Sequence, residues 1–375
     1  MKKPLFMVFM ALPLASLPLA PDTIEREFAA APGKKLEMDL NAGGSIQIQG
    51  WEKERIAVRV YGAGSDLRYC KVEFDERASG LYIHSYYSGR QENYSSDLRF
   101  EISVPASFDL DLESMGGGIA IQNVAGEIHG KTMGGELNLK ALKGKLELTT
   151  MGGAISLTGS DVDGKVKTMG GDVLVQDVKG DVKASSQGGN VVYKNVTRRT
   201  GNSTAEELKI TSMGGDINVD EAPAGADVHT MGGDVHIRDA HEFAKAKTMG
   251  GNIEIDAVDG WVDATTMGGD VTVHMVGDPE KGNRDVEIQS MSGDVTLTVP
   301  AALSMDFEIT LAYTNNSRMN YKISSDFPLN QEHSPEWDRS RGTPRKCVYG
   351  KGSVSGGRNK IRISTVNGNI LLRKG

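Results

Sequence analysis

From residue 114 onward the chain alternates apolar and polar positions in short bursts that recur at a fixed step. Each burst is two apolar residues around one other residue: Ile119 and Ile121, Leu137 and Leu139, Ile155 and Leu157, Val173 and Val175, then Val191 and Tyr193. The series resumes with Ile217 and Val219, Val235 and Ile237, Ile253 and Ile255, Val271 and Val273, then Val295 and Leu297. Period-two alternation over so few residues predicts a short, half-buried strand. A second burst lies half a step further on, where Gly126, Gly144, Gly180 and Gly260 precede Ile128, Leu146, Val182 and Val262 by two residues. No part of this region sustains the 3.6-residue period of a helix.

The step is marked by a triplet. Met-Gly-Gly begins at Met115, Met133, Met151 and Met169, each 18 residues after the last, and Gln187 continues the series. It resumes at Met213, Met231, Met249 and Met267, again 18 apart, and Met291 follows with Ser-Gly. Strands too small to bury a face alone must stack on their neighbours, which is the logic of a solenoid. The expectation is an all-β fold: a right-handed parallel β-solenoid with about 18 residues and two short strands per coil, and β-rich end regions. At about 4.8 Å per coil the marked units span roughly 43 Å. A left-handed hexapeptide helix would need an aliphatic residue at every sixth position. A calcium β-roll would need Gly-Gly-x-Gly-x-Asp. Gly171-Asp172-Val173-Leu174-Val175 fits neither. Residues 1–20 are expected to be a signal peptide, 21–110 an N-terminal β-rich end region, 111–299 the regular solenoid, and 300–375 a C-terminal β-rich end region with a long loop over 324–344.

Composition changes the picture in four places. The chain has 46 glycines in 375 residues and 6% aromatics, which suits tight turns around a narrow core. The net charge is −8, an acidic balance that argues against nucleic acid as a partner and against adsorption to anionic lipid. Lys2 and Lys3 ahead of the apolar Leu5–Leu19 stretch, with Ala20 as a cleavage position, read as a secretory signal. No later segment is long and apolar enough to span a membrane as a helix. The two cysteines, Cys70 and Cys347, fall at opposite ends of the predicted rod, so no bond between them is expected.

The repeated rows offer candidate chemistry. Thioethers are soft ligands suited to copper(I). The competing expectation, favoured here, is that Met115, Met133, Met151, Met169, Met213, Met231, Met249 and Met267 are structural repeat residues filling a buried corner, as Val124, Leu142, Val178 and Val258 do in the other half-coil. On that reading Met231→Lys is strongly destabilising. The preceding Ser/Thr row (Ser114 through Ser290) is expected to be a structural hydroxyl ladder. Two outward threonine columns would be needed for an ice-binding face, and the column two before Met is mixed and charged. The Asp/Asn row after Gly-Gly, including Asp172, Asp216, Asp234, Asp270 and Asp294, is expected to close turns rather than to bind divalent cations. The seven histidines show no metal-ligand spacing: His229 and His236 are near in sequence, but no carboxylate partner is evident for them. No catalytic residue, cofactor-binding motif or metal set stands out. Insertions near residues 197–204 and 278–283 should form loops, where binding tends to reside.

The flanks alternate too, as in Leu36-Glu37-Met38-Asp39-Leu40 and Phe100-Glu101-Ile102-Ser103-Val104. Taken in order, Pro32-Gly33-Lys34-Lys35-Leu36-Glu37, Gly43-Gly44-Ser45-Ile46-Gln47-Ile48-Gln49-Gly50-Trp51, the Thr-Met-Gly-Gly-Asp-Val coils and the closing Thr365-Val366-Asn367-Gly368-Asn369-Ile370 resemble a bacterial β-strand-repeat domain family of unknown function labelled putative adhesin. The resemblance covers nearly the whole chain beyond the signal. It implies an exported, non-enzymatic β-solenoid of the cell envelope, periplasmic or at the surface, with no catalytic residues to carry over. The expected partner is an envelope or surface protein or a glycan. The alternatives are a carbohydrate-active or carbohydrate-binding solenoid, and a partner in envelope-stress signalling.

Overall fold

The computed structural model describes residues 22–31, 33–62, 66–88, 97–197, 208–316, 320–339 and 343–375. The expected signal segment and most of the first insertion lie outside them. The described chain is almost entirely β, with one short helical turn at Asp66–Tyr69.

Two ladders of parallel strands run the length of the repeat region. In the first, Ile119–Gln122 pairs with Leu137–Lys140, which pairs with Ile155–Thr158, and so on through Val271–Met275 and Val295–Val299. In the second, Ala125–Thr132 pairs with Lys143–Thr150, which pairs with Asp161–Thr168, and so on to Val286–Ser290. Through most of the rod the partner of residue i is residue i + 18, so that Ile128 faces Leu146 in one ladder and Leu137 faces Ile155 in the other. Where the chain inserts extra residues the register survives: Tyr193 pairs with Val219 and Val273 with Leu297. The ladders also join. Eight strands between Asp161–Thr168 and Val235–Lys247 pair in parallel around a closed ring.

The inward positions are the ones the alternation marks. Every member of both aliphatic rows, from Ile119 and Ile121 to Val295 and Leu297, is buried, as are Val124, Leu142, Val178 and Val258. One coil departs from the aliphatic pattern. Tyr193 is fully buried, its hydroxyl donating to Val182 O (2.8 Å) and accepting from Ala184 N (2.9 Å), with the small Ala184 across from it. Burial pushes this phenol well above the ordinary tyrosine range. Tyr193→Phe keeps the ring but strands one buried N–H and one buried C=O, so it should cost about 1–3 kcal/mol in chemical denaturation.

The ends are wound out of sequence order. Strand Lys35–Leu40 lies between Gly80–Tyr87 and Asp109–Ser114, and Ser45–Trp51 lies between Arg99–Pro105 and Ile119–Gln122. The first coil therefore sits inside the second. At the other end the last strands, Asn359–Val366 and Ile370–Lys374, slip between the Val286–Val299 coil and strands Met305–Thr314 and Ile323–Ser325. Antiparallel strands flank both terminal coils: Cys70–Arg77 on Gly80–Tyr87, Arg55–Gly62 on Arg99–Pro105, and Arg345–Val354 on Met305–Thr314. Such additions blunt the open strand edges that would otherwise pair with another chain. The segment expected as a long loop contributes to this: Asn330–His333 pairs with residues 348–351. Cys70 and Cys347 belong to opposite ends and are not joined in a disulfide.

Candidate functional site

The corner that carries Met-Gly-Gly corrects the reading of the methionines. In Lys143–Thr150 the inward residues are Leu146, Leu148 and Thr150, and the alternation runs through to the hydroxyl without slipping. The next residue, Met151, is therefore turned outward. All nine methionines of the row are exposed, from 38% at Met151 to 56% at Met115. The hydroxyl can face inward because it is satisfied there. Thr150 Oγ1 donates to Gly135 O (2.7 Å), Thr168 to Gly153 O (2.8 Å) and Thr230 to Gly215 O (2.9 Å), in each case on the preceding coil. Ser186, Ser290 and Thr365 do the same. The structural ladder stands and the buried-methionine corner does not. Met231→Lys should accordingly shift stability by no more than about 0.5 kcal/mol, as exposed substitutions do, which a thermal melt will check.

The Asp/Asn row also connects coils. Asn190 N donates to Asp172 Oδ1, Asp216 N to Asn190 Oδ1, Asp234 N to Asp216 Oδ1 and Asn252 N to Asp234 Oδ1, at 2.6–2.8 Å. The series continues through Asp270 and Asp294 to Asn369. Both side chains offer the same Oδ1 acceptor, so Asp and Asn interchange freely. The expected turn closure becomes a bond to the next coil's backbone.

Stacking assembles one group that linear spacing concealed. His236 pairs in register with Glu254, and its Nε2 lies 2.9 Å from Asp256 Oδ2. The potential ligand atoms of the three residues all lie within 4.8 Å of one another. It is the one such group among the described residues, on an open face. The readable signal was a carboxylate 18 residues after a histidine, one coil on. The second insertion is held rather than free. Arg284 is fully buried and donates to the Asp259 carboxylate, to Val276 O (2.6 Å) and to Lys281 O (3.1 Å). Arg358 donates to Glu280 O from the far side (2.6 Å).

A groove of about 1020 Å³ lies at the N-terminal end, between the outer face of the first ladder and the antiparallel strand pair Asp22–Ala29/Arg55–Gly62. Alternation supplies its floor: Gln49, Gln122, Asn138, Lys140, Ser156 and Thr158 are outward residues of successive stacked strands. Trp51 ends the strand that begins this floor. Its Nε1 donates to Arg55 O (2.8 Å), and Lys53 Nζ lies 4.8 Å from its ring centroid. Ion pairs of Arg55 with Glu27 (3.1 Å) and Arg59 with Glu25 (2.7 Å) hold the two strands together above it. Sequence reasoning missed this groove because it depends on two strands from separate parts of the chain pairing and lying over the ladder. Along the rod, Lys145 pairs with Glu127 (2.9 Å) and Lys165 with Glu147 (2.7 Å). The hydrogen bond from each lysine holds its glutamate below the usual carboxylate range.

Among the described residues no helix is long and apolar enough to cross a membrane. No curated protein matches the chain. Solved structures similar to it include a putative cell adhesion protein from Clostridium sporogenes, 11% identical over 95% of this chain and 100% of that one, with a TM-score of 0.20. A putative adhesin from Bacteroides fragilis is 13% identical over 74% and 96% of the two chains, with a TM-score of 0.30. A putative lipid binding protein from Parabacteroides distasonis is 12% identical over 74% and 96%, with a TM-score of 0.28. These superpositions are loose. The sequence match is broader: two overlapping segments, residues 33–247 and 165–373, fit the family described as Toastrack DUF4097, so the chain belongs to that family of β-repeat proteins.

Proposed function

We propose that the protein is an exported, non-enzymatic scaffold of the bacterial envelope that binds a glycan in the groove beside Trp51. The winding is right-handed, as parallel β connections are, with two strands in each coil. The groove carries this reading. One aromatic ring stands at the rim of a floor of amides and hydroxyls. This is the combination that packs against a sugar's C–H face and hydrogen-bonds its hydroxyl groups. Repetition of the floor every coil, at about 4.8 Å, suits an extended chain better than a compact metabolite. A surface protein is the second partner class, and the charged columns on the second ladder, such as Glu127 with Lys145 and Glu147 with Lys165, are where it would sit.

A glycan array probed with the chain lacking residues 1–20 is the direct test. Trp51→Ala should weaken the best ligand by about 10–100-fold, the usual loss for an aromatic anchor. Retention of full affinity by that variant would remove the groove from the function. Release of reducing ends from a bound polysaccharide would replace the binding role with a carbohydrate-active one. Fractionation of cells expressing the full chain tests export.

A further inference from the structure

We propose that the exposed methionine row is a binding rail for a soft monovalent cation, copper(I) or its analogue silver(I), held between thioethers of successive coils. This goes beyond the glycan reading and uses a different corner of the rod.

Three observations carry it. First, the row is held at methionine where nothing in the packing asks for it. At the buried positions Ile, Leu, Val and Tyr replace one another from coil to coil, yet the exposed position is Met in nine of ten units and Gln in the tenth. An apolar contact surface would accept Leu or Ile equally. Inside the row the one replacement is a polar amide, and the row ends at Val366, which follows Thr365 in the terminal coil. Second, the row is in register. Met133 N donates to Ser114 O and Met151 N to Thr132 O, and the turn glycines stack directly on those of the coil before, across Gln187 as well. Methionines therefore repeat at the coil spacing of about 4.8 Å. Two metal–sulfur bonds of about 2.3 Å set end to end span nearly the same distance. Third, the side chains cover one another. Members with methionine on both flanking coils (Met133, Met151, Met231, Met249, Met267) are 38–47% exposed, whereas Met115 and Met291, which close the row, are 56% and 51%.

The chemistry follows from the donors. Thioethers are neutral, soft ligands that favour copper(I) over hard divalent ions. The net charge of −8 and the acidic row three residues along the same turn favour a cation's approach. Met115 to Met169 offers three gaps between neighbours, and Met213 to Met291 offers four. Cations one coil apart repel, so alternate gaps should fill, about two in each run and roughly four per chain.

The test uses the chain lacking residues 1–20 with Cys347→Ser in every arm, which removes the partly exposed thiol. Native mass spectrometry after silver(I) addition should show about four ions retained, and copper(I) should compete with bicinchoninate under anaerobic conditions. Replacing Met213, Met231, Met249, Met267 and Met291 by Leu should remove about half of the bound silver without lowering the melting temperature. Undiminished binding in that variant, or failure of the parent chain to hold either ion against the competitor, overturns the proposal. Should the five-fold variant not fold, methionine-methyl NMR of the parent chain decides. Silver(I) should shift the row's methyl signals, and unshifted signals overturn it.

Discussion

Gly233→Ala is expected to cost roughly 3–5 kcal/mol, more than ordinary core overpacking at about 1–3 kcal/mol, while Gly232→Ala next to it is expected to be nearly silent. A Cβ on Gly233 would fall into the carbonyl of Gly215 on the preceding coil and lie 2.6 Å from Asp216 N. Those atoms are backbone and cannot swing aside. Gly215 O also accepts the Thr230 hydroxyl, so moving it breaks the hydroxyl ladder as well. On Gly232 the nearest atom would be Gly214 O at 3.3 Å, a tight contact that a small shift relieves. The same asymmetry recurs at Gly152 and Gly153. Paired denaturation curves for the two variants measure it, and equal losses would mean that the coils are not stacked through the second glycine.

Arg284→Ala is the second large effect, expected at about 3 kcal/mol. The guanidinium is buried and serves three acceptors at once, the Asp259 carboxylate, Val276 O and Lys281 O. Breaking a buried pair by removing one partner typically costs about 3–5 kcal/mol. Asp259 is 41% exposed and regains water when freed, which places the value at the lower end. Arg284→Lys should not rescue it, since one ammonium lacks the planar fork that reaches three separate oxygens. Lys281→Ala, at an 82% exposed side chain, is the control and should leave the melting curve in place.

The two variants divide what was readable from what was not. The glycine pair announces itself through an 18-residue period, and the fold follows because each unit must cover its neighbour. The hydroxyl row was legible for the same reason. Arg284 gives no signal in the chain: it is one basic residue after an insertion, and only the folded insertion makes it a buried anchor. His236 and Asp256 were separated by 20 residues and became neighbours through coil register. The groove at Trp51 required two non-consecutive strands to pair and lie over a ladder whose own strands come from distant parts of the sequence.

The amino-acid sequence by itself determined the strands, their step and the inward aliphatic rows, because alternation and repetition are local properties that stacking then satisfies. The tertiary structure decided which way the corner faces. Hydrophobicity alone turns methionine inward and threonine outward. The opposite holds because each hydroxyl finds a carbonyl on the coil before, as Thr168 finds Gly153 at 2.8 Å, and a satisfied hydroxyl carries no burial penalty that would displace it. That bond exists only between coils, and with it comes the outward row of thioethers. The order of the end coils was likewise a tertiary matter, since the first coil lies inside the second and the last beneath the one before it. No local pattern distinguishes that winding from a sequential one, because every strand involved alternates in the same way.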